Sequence, residues 1–384
     1  MAIKYGDQLN SKRGGKMKII VEMGHPAHVH QFKNMIWKLE EHGHEIKICA
    51  TDKDVELDLL DSYSIDYEVL GKNNSAHLLT KISLLINSEI KMMQICKKFK
   101  PDLFISRLSP ISAHISRLLR RPHISFADDD KRVLSALLAI QSTEYICTPE
   151  YFKIDYGKRQ IRYKGYKELA YLHPNQFKPS ESALDMLGLD KNDKYILMRF
   201  VGWAAVHDYG MHGIQNKLDL VKELENEAQV FITSEGKLIK SLEKYRINAP
   251  PESMHDLLYY ATMLVGDSQT MTTEAAVLGT PAIRCNSFVG INDLGNFIEL
   301  ENKYNLIFNY SDPFQALQKA KQILETPGIK DEWKKRRDRL LRDKIDVTSF
   351  MVWLIDEYPD SCYRMRENSA VQLQFQCNNS CIQV

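Results

Sequence analysis

From Met17 onward the chain alternates short apolar runs with segments of helical period, and that succession constrains the fold more than any other feature. Lys18-Ile19-Ile20-Val21-Glu22-Met23 reads as a strand, and Gly24-His25-Pro26-Ala27 as the turn after it. Phe32, Met35, Ile36 and Leu39 then recur at helical spacing until Gly43. The next strand, Glu45 to Ala50, runs into Thr51-Asp52-Lys53. Strand, helix and strand in this order form a βαβ unit, which implies a parallel sheet. The pattern continues with a strand at Asp66 to Leu70, a long helix to about Lys98, and a strand at Leu103 to Ser106. A helix through Ile115 and Leu119 and the strand His123 to Phe126 follow, and Tyr145-Ile146-Cys147 closes the half.

Between Tyr171 and Ser180 the period breaks at His173-Pro174-Asn175 and Lys178-Pro179-Ser180, as a linker should. The alternation then restarts with a strand at Tyr195 to Phe200, a helix from about Asn216 and a strand at Gln229 to Thr233. A helix around His255 to Ala261, a strand at Met263 to Val265, a helix from Thr272 and the strand Pro281 to Cys285 complete it. The expectation is an α/β protein with two successive doubly wound halves. Such sheets bind ligands beyond the carboxyl ends of their strands, and two facing halves make a cleft. The expected division is a disordered leader at 1–16, a first domain at 17–178 and a second at 179–345. A packing helix at 346–358, carried by Thr348 to Glu357, and a disordered polar tail at 359–384 follow.

At 384 residues and 44% hydrophobic, the chain can bury two cores. Lys and Arg number 51 against 50 Asp and Glu, a net +1 that argues against a nucleic-acid partner. The seven cysteines (Cys49, Cys96, Cys147, Cys285, Cys362, Cys377 and Cys381) are odd in number and scattered, which points to a reducing compartment. Cys377 and Cys381 lack the spacing of a zinc site, so no metal is expected there. No run is long enough to span a membrane, and the first sixteen residues lack the apolar core of a secretory signal. These features read as a cytoplasmic protein; oligomeric state is not legible.

Chemistry concentrates where strands end. In Met263 to Pro281 an apolar strand ends in Gly266-Asp267, a small polar loop follows, and a helix begins near Thr272. Free amides and the positive end of the helix dipole suit a diphosphate. Ser268, Gln269, Thr270 and Thr272 add donors, and Glu274 suits the hydroxyls of a ribose; an ordinary helix cap uses the same residues. Gly24-His25-Pro26-Ala27-His28-Val29-His30 sets three histidines at one turn, where they suit a base, a phosphate donor or a cap. No carboxylate is adjacent to favour a metal. In Arg199 to Gly210, Arg199 offers a forked cation for a diphosphate, and His207 with Asp208 forms a candidate pair. Ser106-Arg107-Leu108-Ser109 and Ala127-Asp128-Asp129-Asp130 follow first-half strands, with Asp129 a candidate base. Thr233-Ser234-Glu235-Gly236 suits a sugar contact or a plain turn. Lys334 to Arg337 suits anionic lipid or a solvated helix surface.

The stretch from Met263 to Pro281 resembles the nucleotide-binding signature of the GT-B superfamily, as in UDP-N-acetylglucosamine 2-epimerases and related glycosyltransferases. The resemblance implies a GT-B fold with C-terminal helices. It also implies that Ser268, Gln269 and Thr270 contact a UDP diphosphate and Glu274 its ribose. Gln269 and Thr270 replace the glycines found there. The loop Gly24 to His30 is similar to the histidine loop of the N-acetylglucosaminyltransferases that complete the peptidoglycan lipid precursor. His28 takes the position of the family histidine, while Pro26 and Ala27 stand in place of glycines. From Met17 to Tyr358 the chain resembles a prokaryotic GT-B family labelled a domain of unknown function. The implied activity is transfer of a sugar from UDP to a glycan or lipid-linked acceptor. Read from their own chemistry and position, His28, His25, Asp129 and His207 are the candidates for catalysis, and Arg199, Ser234 and Glu235 for donor contacts. No cofactor is implied beyond the nucleotide-sugar substrate. A 2-epimerase is the alternative, but where those enzymes carry acids this chain reads Ser106-Arg107-Leu108-Ser109 and Ser125-Phe126-Ala127-Asp128. A non-catalytic nucleotide-sugar binder is the third.

Overall fold

The structure is a computed structural model that describes residues 15–53, 55–72, 78–130, 134–202, 212–290 and 293–377. The leader expected at 1–16 therefore lies, except for Gly15 and Lys16, outside the described residues. Two compact units emerge, one from 15–171 together with 344–377, the other from 172–343.

The first unit carries seven parallel strands among the described residues. They are β1 Lys18–Glu22, β2 Glu45–Asp52, β3 Tyr67–Lys72, β4 Leu103–Ser106, β5 His123–Phe126, β6 Tyr145–Pro149 and β7 Gln160–Tyr163, in the order β3-β2-β1-β4-β5-β6-β7. The order reverses between β1 and β4, so the β1 and β4 ends flank a topological switch point. β4, β5 and β6 are buried along their whole length, as strands covered on both faces must be. Met92, Cys96 and Phe99 of helix Leu78–Phe99 pack with Ile115 of helix Pro110–Leu118 on Ile20, Cys49, Leu70 and Phe104. Each such side chain, fully buried, contributes about 1.5–3 kcal/mol.

The second unit carries five parallel strands among the described residues. They are β8 Tyr195–Phe200, β9 Gln229–Ser234, β10 Met263–Gly266, β11 Ala282–Cys285 and β12 Ile307–Tyr310, in the order β12-β11-β10-β8-β9. Its switch point lies between β8 and β10, and Ile196, Met198, Val265 and Ile283 sit in its core.

Several sequence expectations differ from the structure. The second half does not end at Cys285, because β12 adds an edge strand beside β11. The first half does not close at Cys147, because β7 adds an edge strand beside β6. The first unit ends at Tyr171 rather than 178, and the chain returns to it at Lys344. The polar tail from Pro359 is ordered as far as it is described: Asp360–Glu367 and Ser369–Phe375 are helical. Cys362, Met365 and Gln372 are buried there. The Gln372 side chain accepts from the Lys164 amide at 2.6 Å and donates to the Arg162 carbonyl at 3.3 Å, while Phe375 lies against Phe350 and Trp353. A few buried groups tie down a segment whose overall composition is polar.

Candidate functional site

The switch point of the second unit is built around close backbone approach. A Cβ on Gly266 would sit 2.6 Å from the Arg199 carbonyl oxygen, so only glycine lets β10 lie this close to β8. The next residue, Asp267, is buried and accepts the Val201 amide at 2.8 Å, while its own amide donates to the Arg199 carbonyl at 3.1 Å. The Asn286 side chain donates to the Asp267 carbonyl at 3.1 Å. Asp267 thus fixes the chain leaving β8, with Arg199 at that edge.

The helix that follows spans Gln269–Leu278, three residues earlier than the sequence suggests, because Ser268 is its N-cap. The Ser268 hydroxyl accepts the Met271 amide at 3.3 Å. That leaves the first-turn amides of Gln269 and Thr270 to a ligand or water, and both residues are half-buried at the helix start. Thr272 is not a ligand donor in this arrangement: it is fully buried, and its hydroxyl donates to the Ser268 carbonyl at 2.7 Å. Glu274 is also buried, with its Oε1 3.1 Å from Nε2 of His255. Gly279 ends the helix at φ 84°, where its missing Cβ makes room for Arg337.

Arg199 and Glu235, expected separately at phosphate and sugar, pair with each other at 2.7 Å. Glu235 also accepts the Gly202 amide at 3.2 Å. Ser234 is used by its own turn, its hydroxyl donating to the Gly236 carbonyl at 3.0 Å. His207 and Asp208 lie outside the described residues.

In the first unit the switch point gathers the histidine loop and two charged clusters. His25 is the N-cap of helix Pro26–Glu41, its Nδ1 accepting the Ala27 amide at 3.1 Å. His28 Nδ1 accepts the Gly24 amide at 3.1 Å. Desolvation, with the cations Lys53, Arg107 and Lys167 nearby, pushes His25 down to about 3 and His28 well below the usual histidine range. Both rings are therefore neutral at pH 7. With Nδ1 accepting, the proton resides on Nε2. This geometry suits them as hydrogen-bond donors and removes the Nε2 lone pair that a base would need, a correction to the expectation for His28.

Beneath the loop, Glu22 is buried and accepts from the Ser109 hydroxyl at 2.6 Å, the Ser112 amide at 3.0 Å and the Ser112 hydroxyl. Burial raises its pKa against the lowering effect of those bonds. At the β5 end the sheltered acid is Asp128, paired with Arg107 and with Lys167 at 2.6 Å. The expected base Asp129 is exposed beside it, and Asp130 accepts the Lys153 amide at 2.8 Å. Among the described residues no three His, Cys, Asp or Glu side chains converge as metal ligands.

The sequence profile of a family described as Protein of unknown function (DUF354) matches residues 17–304. The chain belongs to the DUF354 family. A relative of this DUF354 chain, Uncharacterized protein MJ0665 of Methanocaldococcus jannaschii, is 25% identical over 285 residues, covering 70% of this chain and 82% of the relative. Among solved structures, MnaA of S. aureus in complex with UDP superposes with a TM-score of 0.65 at 12% identity, covering 90% of this chain and 97% of that one. The glycosyltransferase SsfS6 of Streptomyces sp. SF2575 gives 0.56 at 11% identity, covering 88% and 99%. Other structural neighbours include UDP-GlcNAc 2-epimerases. The DUF354 chain has the GT-B α/β fold, shared with glycosyltransferases and UDP-GlcNAc 2-epimerases.

Sequence reasoning missed Asp267, His255, Glu22 and Lys167. Asp267 carried a usable signal, directly after a strand. Lys167 and His255 carried none, because their partners Asp128 and Glu274 are distant in sequence.

Proposed function

We propose that this DUF354 protein is a nucleotide-sugar dependent glycosyltransferase, with a UDP-sugar as donor and a glycan or lipid-linked acceptor. The observation that carries the proposal is the capped helix start at the β8/β10 switch point. There the Gln269 and Thr270 amides and the helix dipole meet beside Arg199. In this reading they hold the donor diphosphate and stabilise the charge that develops as UDP leaves. Glu274, oriented by His255, takes the ribose. In the first unit, His25 and His28 donate Nε2–H to acceptor oxygens, and Asp129, open to solvent at the β5 end, takes the acceptor proton. Binding of UDP by MnaA supports the choice of nucleotide.

The second reading is a UDP-sugar 2-epimerase, favoured by Asp128 at the end of β5. Its carboxylate is paired with Arg107 and with Lys167. The third is a binder without turnover. A thermal-shift panel of UDP, UMP, GDP, CDP, ADP and UDP-N-acetylglucosamine tests the common step, since ligands of the native state raise its melting temperature. A rise with UDP compounds alone supports the reading, and no rise with any nucleotide overturns it. Product analysis then separates sugar transfer from epimerisation.

A further inference from the structure

Six of the large aliphatic side chains most open to solvent lie on one helical layer of the first unit. Ile82, Ile86 and Ile90 are 47%, 50% and 53% exposed and follow one another at four-residue intervals on helix Leu78–Phe99. Leu118, at the end of helix Pro110–Leu118, is 70% exposed. Leu137 and Leu138 of helix Leu134–Ile140 are also exposed. These helices pack side by side, and their inner faces are committed to the sheet through Met92, Cys96, Ile115, Ala113 and Ala139. The isoleucine stripe therefore faces outward, against the usual rule that such a stripe faces the core.

Charge on the same layer is one-sided. Residues 78–121 hold nine Lys and Arg against two acids, in a chain whose net charge is +1; Arg107 is taken up by Asp128 at the β4 end, which leaves eight. Lys91, Lys97, Lys98, Lys100, Arg117 and Arg120 are exposed. Both acids are engaged: Glu89 lies 2.6 Å from His114, and Asp102 accepts the Lys18 amide at 3.0 Å. We infer that this layer is a docking face for an anionic lipid bilayer, its aliphatic side chains entering the headgroup boundary and its cations pairing with lipid phosphates. A second copy of the chain fits less well, because a two-fold contact would set the two cationic rims against each other. The basic run Lys334 to Arg337 is a weaker candidate for lipid. Arg337 is buried against Gly279, and Arg336 pairs with Glu332 and covers Trp333. The docking face stands whatever reaction the protein runs.

Co-sedimentation of the full chain with vesicles tests it. Binding is expected to vesicles of phosphatidylcholine mixed with phosphatidylglycerol, weaker binding to phosphatidylcholine alone, and loss in high salt. An Ile86→Glu, Ile90→Glu double variant should lower partitioning about tenfold or more. Its melting temperature should stay unchanged, since both side chains point away from the core. A Lys97→Glu, Lys98→Glu variant should lose the preference for anionic lipid. Absence of binding by the wild type, or equal binding by the isoleucine variant, overturns the inference. So does a dimer, seen by light scattering, that the isoleucine variant dissociates.

Discussion

Arg199 and Glu235 form an ion pair at 2.7 Å across the carboxyl ends of neighbouring strands, and the same carboxylate accepts the Gly202 amide at 3.2 Å. The acid is half exposed, so the pair contributes less than about 1 kcal/mol to stability. In the proposed donor complex it competes with the diphosphate for the guanidinium. Glu235→Gln should therefore tighten UDP binding by about two- to fivefold, and Arg199→Ala should weaken it about tenfold. Isothermal titration with UDP reads both. If both variants weaken binding, the pair is only a brace for the loop.

Gly266→Ala tests the close approach of β10 to β8. The added methyl would meet the Arg199 carbonyl oxygen at 2.6 Å and its amide nitrogen at 3.2 Å, and strand backbone cannot swing aside as a side chain can. The variant should lose about 1–3 kcal/mol or fail to fold. Gly236→Ala, where nothing lies within 4 Å, should stay within about 0.5 kcal/mol of the wild type. Urea unfolding distinguishes them, and equal midpoints would mean the strands can separate freely.

Acid sensitivity should come in part from His123. It is fully buried, its ring nitrogens 2.8 Å from the Ser106 hydroxyl and 3.1 Å from that of Thr143, and burial pushes its pKa down to about 3. Below the unfolded value near 6.5 the unfolded chain binds a proton that the folded chain refuses. The stability associated with neutral His123 is thus complete above pH 6.5 and is lost as pH falls toward 3. The upper bound is about 1.4 kcal/mol per pH unit. A His123→Asn variant should show a flatter fall in urea midpoint between pH 7 and pH 5, though less stable at neutral pH. An unchanged slope would mean His123 titrates normally.

Several strands could be delimited to the residue, and the reason is physical. Leu103–Ser106, His123–Phe126 and Tyr195–Phe200 are short, largely apolar runs that the parallel sheet buries. The edge strands Gln160–Tyr163 and Ile307–Tyr310 escaped because their half-open residues weaken the signal. At the site, the positions at strand ends were legible from local pattern, but the choice of partner was not. Nothing near Glu274 announces His255, and nothing near Asp128 announces Lys167. Helix period alone could not distinguish a start at Thr272 from one at Gln269. The N-cap decided it, and with it the burial of the Thr272 hydroxyl.

Ser268 separates the structural from the ligand-binding role of that helix start. Its hydroxyl caps the Met271 amide, so Ser268→Ala should cost about 1 kcal/mol. UDP affinity should stay within about threefold, because in the proposal backbone amides at Gln269 and Thr270 supply the contacts. Ser268→Asp should behave in the opposite way. Aspartate caps a helix as well as serine and favours its positive end, so stability should be kept. Its negative charge would occupy the field that the diphosphate needs, and UDP binding should fall about tenfold or more. Thermal melts with and without UDP read both effects on the same samples. A stable Ser268→Asp protein that binds UDP as tightly as the wild type would place the phosphates elsewhere and sink the proposed donor site.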